Sequence, residues 1–165
     1  MTKIETFFKI AKKGTEEFMA RAAFNVLVLL YKKEMDEIEY CIFKRADMEI
    51  WQFIAGGGED KETPIEAAAR ETLEEANIKA GKLFPLTSMC FVPANQFSEA
   101  AQVSWGSETS EIPVYCFASK VDQELEIQIS EEHLEYKWCT YEEAQELLYF
   151  DLDKTALYEL KEKVI

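Results

Sequence analysis

Apolar and polar positions along the chain predict helices and strands in alternation. A short amphipathic helix is predicted near the N-terminus by apolar residues at helical spacing, namely Ile4, Phe7, Phe8 and Ala11. Residues 24–31 (FNVLVLLY) form a nearly continuous apolar run, which is typical of a buried central strand. Residues 38–44 alternate more and are predicted to form its hairpin partner. A further short strand at residues 51–55 leads into a glycine-rich loop.

The strongest helix signals surround residues 64–76. Thr63 suits the N-cap, Pro64 suits the first helical position, and Glu66 completes a capping box. Asn77 follows, where a left-handed residue commonly ends a helix. A mostly small apolar face is predicted to pack on the sheet, and it comprises Ile65, Ala68, Ala69, Thr72, Leu73 and Ala76. We therefore expect the glutamates of this helix to lie on the face turned away from the sheet.

The second half of the chain predicts more strands and two closing helices. Strands near residues 83–92 and 112–118 are joined by a long loop at residues 93–111, and a loop of this length is more often functional than idle. A last strand and two helices follow, at residues 135–139, 141–148 and 153–164. The pattern contains no internal repeat and no linker. We expect one domain over residues 1–165, with residues 1–20 as an N-terminal helical extension.

The composition is that of a globular protein with an acidic surface. Of the 165 residues, 48% are apolar and 13% aromatic, and the formal net charge is −14. This charge argues against nucleic acid or an anionic membrane as the main partner, because no basic stripe is available to neutralise phosphates. No apolar stretch reaches transmembrane length, and the opening residues do not form a signal peptide. We expect a cytoplasmic protein that acts on a small molecule.

The cysteines and the single histidine exclude several kinds of active site. The cysteines are widely spaced without a C-x-x-C pair, so reduced thiols are expected at Cys41, Cys90, Cys116 and Cys139. His133 is the only histidine, which excludes a zinc site of the H-E-x-x-H type. A Ser-His-Asp triad would have to use His133, and no nucleophile-elbow sequence accompanies it. We expect His133 to be structural.

Three carboxylates of the helix at residues 64–76 are candidate ligands of a metal ion. Glu71, Glu74 and Glu75 are related by i, i+3 and i+4, so they share one helix face. Like charges in this arrangement repel each other unless a divalent cation lies among them. Carboxylate oxygens are ligands that magnesium prefers. The spacing therefore predicts a magnesium site.

The segment from Gly56 to Ile78 resembles the Nudix box, G-x5-E-x7-R-E-U-x-E-E-x-G-U, where U is aliphatic. The matching positions are Gly56, Glu62, Arg70, Glu71, Glu74, Glu75 and Ile78. Thr72 replaces an aliphatic residue, and Asn77 replaces a glycine at the position that ends the helix. Neither change removes a carboxylate. The resemblance implies an α/β (α+β) fold, in which helices sandwich a curved mixed sheet and the box forms a loop–helix–loop.

Two further segments are similar to the dihydroneopterin triphosphate (dATP) pyrophosphohydrolase branch of the family. They are residues 50–52 (IWQ) and 132–138 (EHLEYKW), and a related phrase occurs in diadenosine tetraphosphate hydrolases. This resemblance implies Mg2+-dependent hydrolysis of a nucleoside or pterin triphosphate to pyrophosphate and the monophosphate, with Mn2+ as a substitute metal. The alternatives are a hydrolase of dinucleoside polyphosphates or nucleotide sugars, and a non-catalytic domain that senses a nucleotide.

The Nudix resemblance also assigns roles to residues of the box. Glu74 and Glu75 are the first-choice metal ligands, and Glu71 either coordinates metal or orients the attacking water. The carbonyl of Gly56 is the backbone ligand, and Arg70 orients the cluster by ion pairing. Glu62 pairs with that arginine or anchors the glycine-rich loop, which continues through Gly57 and Gly58.

Residues outside the box complete the predicted site. Glu132 is in register with the glutamate that acts as base or extra metal ligand in the resembling branch, with Glu131, Glu108 and Glu111 as substitutes. The candidates for substrate contact are Trp51, Arg45, Lys137 and Arg21, followed by Trp105 and Lys44. Core packing for the tryptophans and solvated surface positions for the cations are the structural alternatives. The oligomeric state is left as monomer or homodimer, with the N-terminal helix as a dimer contact.

Overall fold

The computed structural model describes residues 21–165, so the predicted N-terminal helix lies outside the described residues. Its strands are β1 (Arg21–Glu34), β2 (Glu37–Arg45), β3 (Trp51–Gln52), β4 (Ile54–Glu59), β5 (Leu83–Pro93), β6 (Glu111–Lys120) and β7 (His133–Cys139). Its helices are α1 (Pro64–Ala76), α2 (Glu99–Trp105), α3 (Tyr141–Leu147) and α4 (Asp151–Val164), and a short 3-10 turn covers Ala94–Gln96.

The centre of the sheet is β1, which uses both of its edges. Along one edge its first part pairs antiparallel with β4 and its last part pairs antiparallel with β2. Along the other edge it pairs in parallel with β6, which in turn pairs antiparallel with β5. Strands β3 and β7 both pair antiparallel with β2, so residues 21–165 contribute one seven-stranded mixed sheet. The predicted hairpin of β1 and β2 is confirmed.

Alternate side chains of β1 enter two apolar cores, one on each face of the sheet. Leu27 and Leu29 join the core that α2, α3 and α4 cover. Val26 and Val28 join the core that α1 covers. Helices therefore pack on both faces of a mixed sheet, which confirms the predicted α/β/α sandwich.

Both predicted ends of α1 are confirmed. The hydroxyl oxygen of Thr63 accepts a hydrogen bond from the Glu66 N–H at 3.4 Å, and the Thr63 N–H donates to the Glu66 carboxylate at 3.1 Å. Asn77 adopts a left-handed conformation with φ 54°, and its N–H donates to the Leu73 carbonyl at 3.0 Å. The capping box and the asparagine thus fix the helix over the predicted thirteen residues.

The predicted orientation of α1 is confirmed for Ala68, Thr72 and Ala76, which are buried, but it is wrong for two of the glutamates and for the larger apolar residues. Glu71 and Glu75 are only 2% exposed and lie against the sheet, whereas Ile65 and Leu73 are 44% and 51% exposed. Ala69 is exposed as well. The physical reason is the partner strand, because β4 presents the bare Cα of Gly56 to Glu71 and the N–H of Ala55 to Glu75. Carboxylates fit there, and the larger apolar side chains do not.

The glycine-rich segment is a strand rather than the predicted loop. Instead of one strand at residues 51–55, the structure has β3 and β4, and the glycines lie within β4. Gly56 pairs with Val26 and Gly57 pairs with Asn25 of β1. The long β1 supplies a backbone ladder that holds these glycines extended, an effect that local glycine content does not indicate.

The predicted loop at residues 93–111 is also wrong, because it contains the 3-10 turn and α2. The Ser98 hydroxyl accepts a hydrogen bond from the Ala101 N–H at 3.2 Å, which caps the start of α2. Gly106, with φ 89°, follows its last residue. The remaining predicted strands and closing helices are confirmed, although α4 begins two residues earlier than predicted, at Asp151.

All four cysteines are free, as expected, and three of them are buried. Burial raises the pKa values of Cys41, Cys90 and Cys116, and it raises that of Cys139 to about 11. These thiols are therefore neutral near pH 7 and unsuited to nucleophilic chemistry. In residues 21–165, no helix combines the length and the apolarity that crossing a membrane requires.

Asp153 is a fully buried carboxyl group that fastens α4 to the sheet. Its Oδ2 accepts a hydrogen bond from the Phe53 N–H at 2.9 Å, between β3 and β4. Within residues 21–165, its Oδ1 has no hydrogen-bond partner. Burial raises the pKa of Asp153 to about 7, because it outweighs the hydrogen bonds that favour the ionised form. The folded protein therefore holds this proton more tightly than the unfolded chain does.

We expect Asp153→Asn to abolish one pH-dependent contribution to stability. Between about pH 4 and about pH 7, Asp153 is ionised in the unfolded chain but still protonated in the folded protein. The free energy of unfolding of the wild type therefore falls, relative to that of the variant, as the pH rises through this range. This relative loss of unfolding free energy is at most about 1.4 kcal/mol per pH unit, and it ends above about pH 7, where Asp153 is ionised in both states. Chemical denaturation of both proteins across this range measures the difference, and a difference that does not vary with pH would contradict the assignment.

Candidate active site

The candidate site lies where α1 crosses β4. A Cβ atom added to Gly56 would overlap the carboxyl group of Glu71, so the absence of a side chain is what lets that carboxylate lie on the strand. One turn further along α1, the Glu75 carboxylate accepts a hydrogen bond from the Ala55 N–H at 3.3 Å. Two buried carboxylates of the helix thus contact the backbone of two successive strand residues.

Arg70 connects these elements through one guanidinium group. Its Nε and Nη2 donate to the two oxygens of Glu62 at 2.8 and 2.9 Å, and Nη2 also donates to the Gly57 carbonyl at 2.8 Å. Its Nη1 donates to Glu71 at 2.8 Å and to Glu74 at 3.3 Å. The predicted pairing of Arg70 with Glu62 is therefore present, and it joins the start of the box to its helix.

Glu62 anchors the turn between β4 and α1 as well as pairing with Arg70. Its Oε1 accepts a hydrogen bond from the Glu59 N–H at 2.9 Å. Burial alone would lower the pKa of Arg70, but hydrogen bonds and charge from Glu62 and Glu71 outweigh it and raise that pKa above its usual value. The guanidinium stays charged at every accessible pH. Hydrogen bonds to charged groups contribute about 1.5–3 kcal/mol each, so this network fixes the geometry of the box.

A second guanidinium, that of Arg21, lies on the other face of β4. A Cβ atom on Gly57 would overlap this guanidinium. On the α1 face, a Cβ atom on Gly58 would overlap the ring of Phe24. Arg21 Nη2 donates to the Asn25 side-chain carbonyl at 2.8 Å. Of the predicted substrate residues outside the box, Arg21 is therefore the one that the structure brings to the glycine strand.

The donor chemistry of this junction fits a hard divalent cation, since it offers carboxylate oxygens and a strand carbonyl. Glu71 and Glu75 are buried there, and the glycine at position 56 leaves room beside them. In residues 21–165, however, no three acidic, histidine or cysteine side chains converge as a metal cage. Arg70 Nη1 lies between the carboxylates of Glu71 and Glu74 and donates a hydrogen bond to one oxygen of each. The residues therefore fit a metal in kind, and Arg70 binds two of their carboxylates.

Three other predicted substrate residues have local partners elsewhere. Arg45 is buried and pairs with Asp47 through two contacts of 3.0 and 2.9 Å. Lys137 is half exposed and lies 3.7 Å from a carboxylate oxygen of Glu143. Trp51 is partly buried against the core on the α4 side. Within the described residues, none of these three side chains takes part in the hydrogen bonds that join the box, and their roles stay predictions.

Glu132, the predicted base or extra ligand, lies in the turn before β7. Its carbonyl accepts a hydrogen bond from the Ala46 N–H at 2.9 Å, and its own N–H donates to the Ser130 hydroxyl at 3.4 Å. These backbone contacts fix the turn beside the end of β2. His133 follows as a buried residue whose ring lies 5.2 Å from that of Phe43. The catalytic role of Glu132 stays a prediction.

Sequence reasoning missed two residues of this junction. Asn25 is fully buried, and the signal for it was a polar residue inside the apolar run FNVLVLLY. Glu59 lies 3.6 Å from Arg70 and is an ordinary acidic residue in the sequence. The sequence contained no signal for the contact of Glu75 with a backbone N–H, because every residue except proline carries the same backbone donor.

Comparison with known proteins identifies the family of the chain. Residues 20–160 match the NUDIX domain. The asymmetrical bis(5'-nucleosyl)-tetraphosphatase of Sus scrofa is 30% identical over 132 residues, which cover 79% of this chain and 84% of that protein.

Solved structures agree with this match. A NUDIX hydrolase of Listeria monocytogenes has 38% identity and a TM-score of 0.76, over 87% of this chain and 94% of that one. The dihydroneopterin triphosphate pyrophosphohydrolase of E. coli shares the fold at 21% identity and a TM-score of 0.66, over 86% of this chain and 97% of that one. The box, the sandwich that carries it and these similarities agree, and the chain belongs to the Nudix family of hydrolases, enzymes that cleave phosphoanhydride bonds.

Proposed function

We propose that this Nudix hydrolase is a magnesium-dependent pyrophosphohydrolase of a nucleoside or pterin triphosphate, of the dATP or dihydroneopterin triphosphate type. It would release pyrophosphate and the monophosphate. The observation that carries the proposal is the Arg70 network, which joins Glu62, Glu71 and Glu74 of the box to the glycine strand. Reduced thiols suit a cytoplasmic enzyme.

Nudix hydrolases use divalent metal ions, and we propose that Glu71, Glu74, Glu75 and the Gly56 carbonyl hold Mg2+ here, with Mn2+ as a substitute. When bound, the metal would neutralise phosphate charge and acidify a water molecule. Glu71 and Glu75, buried beside the strand, keep their oxygens in fixed positions through contacts with Arg70 and Ala55. Arg70 orients the cluster from the side. Such preorganisation lowers the cost of assembling the site around substrate.

Residues near the junction would bind and activate the substrate. Arg21, whose guanidinium lies beside Gly57 on the face of β4 opposite α1, is proposed to bind a phosphate oxygen. Glu132 is proposed as the base or as an extra ligand. Trp51, Arg45 and Lys137 are retained as weaker candidates for substrate contact. The substrate is a small nucleotide-like molecule, so no nucleic acid or membrane partner is proposed.

A second candidate is a hydrolase of dinucleoside polyphosphates. What favours it is the 30% identity to the tetraphosphatase of Sus scrofa, which extends over most of both chains. The two candidates share the metal site and differ in the molecule that is cut. They are distinguished by their products rather than by the geometry of the box.

The products of hydrolysis distinguish the two candidates. We expect dATP or dihydroneopterin triphosphate, incubated with Mg2+, to yield pyrophosphate and a monophosphate, as measured by separate assays for phosphate and pyrophosphate. If diadenosine tetraphosphate is hydrolysed much faster than these triphosphates, and the products are ATP and AMP, the result would favour the second candidate. Release of orthophosphate from a triphosphate, without pyrophosphate, would contradict the first. Chelation of the metal is expected to stop either reaction.

We expect Glu75→Gln to reduce kcat/KM roughly a thousandfold or more, because removal of a principal metal ligand costs several kcal/mol of transition-state stabilisation. Steady-state kinetics with saturating Mg2+ measure the change. Glu146→Gln is the matched control, since it removes one negative charge from an exposed position of α3. The metal assignment fails if Glu75→Gln turns over substrate at the wild-type rate.

We expect Gly56→Ala to inactivate the enzyme, because the added methyl group would displace the Glu71 carboxylate from β4. A loss of at least a hundredfold in kcat/KM is expected if that displacement costs about 3 kcal/mol in the transition state. Gly81→Ala is the control, since a methyl group there would meet nothing within 4 Å. Equal activity of the two variants would show that the close approach of Glu71 to the strand is unimportant.

A further inference from the structure

The start of β1 is irregular where it passes the glycine strand. Arg21 pairs with Glu59 and Asn25 pairs with Gly57, so four steps along β1 correspond to two steps along β4. The extra residues form a bulge, which takes backbone groups out of the ladder. Bulges of this kind commonly re-aim a side chain next to an active site. Here the re-aimed side chain is Arg21.

Helix α2 supplies hydrogen bonds to the backbone of this bulge. The Trp105 Nε1–H donates to the Ala22 carbonyl at 3.0 Å. The Ser104 hydroxyl accepts from the Arg21 N–H at 3.0 Å and contacts the Arg21 carbonyl at 3.4 Å. Two consecutive side chains of α2 therefore hold two consecutive residues of β1, which lie 83 positions earlier in the chain.

The same segment surrounds the Arg21 guanidinium with aromatic rings. The guanidinium carbon lies 5.4 Å from the centre of the Trp105 ring and 5.9 Å from that of Phe97. The two rings pack edge to face at 5.1 Å. Cation–π contacts at these distances favour the charged guanidinium and restrict its position. Together with the hydrogen bond to Asn25, they hold Arg21 over Gly57.

We propose that Trp105 is a positioning residue that holds the Arg21 guanidinium over Gly57, where it meets a phosphate of the substrate. This inference rests on the proposed function, since the anionic group is that of a nucleotide-like polyphosphate. Trp105 acts in two ways: its indole N–H fixes the bulge, and its ring fixes the guanidinium. An arginine that is already in place loses less entropy when it binds phosphate. Trp105 therefore contributes to substrate affinity without touching the reacting atoms.

Trp105 and Arg21 should consequently affect affinity as one unit. We expect Trp105→Leu to weaken binding about tenfold, the scale of a partly desolvated cation–π contact. Trp105→Phe keeps an aromatic face but loses the N–H donor, so its effect should be smaller. The value of kcat should stay within about threefold, because the contacts of Arg70 with Glu71 and Glu74 are untouched. Arg21→Gln should weaken binding at least as much as Trp105→Leu.

The test is a double-mutant cycle on binding. Isothermal titration calorimetry with α,β-methylene dATP and Mg2+, a pair that resists hydrolysis, gives Kd for the wild type, Trp105→Leu, Arg21→Gln and the double variant. Trp105→Phe is measured alongside them, so that the result does not depend on the folding of Trp105→Leu. Val103→Ala, at an 82% exposed position of α2, is the control and should leave Kd unchanged.

In the Arg21→Gln background, we expect Trp105→Leu to have little further effect on Kd. If the fold-change in Kd of the double variant equals the product of the two single fold-changes, the positioning role of Trp105 is overturned. A fall in kcat with an unchanged Kd in Trp105→Phe would overturn it as well. The analogue reports binding without turnover. A wild type that binds it with this coupling but hydrolyses no phosphoanhydride would contradict the proposed function and leave the positioning role standing.

Discussion

The junction of helix and glycine strand depends on the guanidinium of Arg70. It bonds both oxygens of Glu62, one oxygen each of Glu71 and Glu74, and the carbonyl of Gly57. Without it, several carboxylates and a strand carbonyl would converge with less opposing charge, and their repulsion would weaken the packing of α1 on β4. The same contact keeps the carboxylates where a divalent cation would use them. The same interaction therefore stabilises the junction and orders the carboxylates of the proposed active site.

The glycines of β4 let three different groups approach one strand. Gly56 admits the Glu71 carboxylate, Gly57 admits the Arg21 guanidinium, and Gly58 admits the ring of Phe24. The first and third lie on the α1 face and the second on the opposite face, because side-chain directions alternate along a strand. Arg70 binds the carbonyl of the middle glycine. Strand β4 thus brings a carboxylate from one face of the sheet close to a cation from the other.

The sequence predicted the elements that carry local signals, and it failed where the neighbouring strand decides. Thr63, Glu66 and Asn77 fixed both ends of α1, and the box spacing identified the residues that Arg70 gathers. The orientation of α1 was wrong for Glu71 and Glu75, because its apolar residues suggested an ordinary sheet, whereas β4 meets these two carboxylates with a glycine and a backbone N–H. The strand character of β4 and the contacts of α2 with β1 depend on residues far apart in the chain, which no local pattern records.

The most direct test of the account is whether the carboxylates that Arg70 gathers bind a divalent metal before substrate arrives. Electron paramagnetic resonance of free Mn2+, titrated with protein in the absence of nucleotide, gives the dissociation constant. We expect the wild type to bind Mn2+ and Glu74→Gln to bind it at least tenfold more weakly, because the variant has lost a charged oxygen ligand. Equal dissociation constants for the wild type and Glu74→Gln would contradict the account.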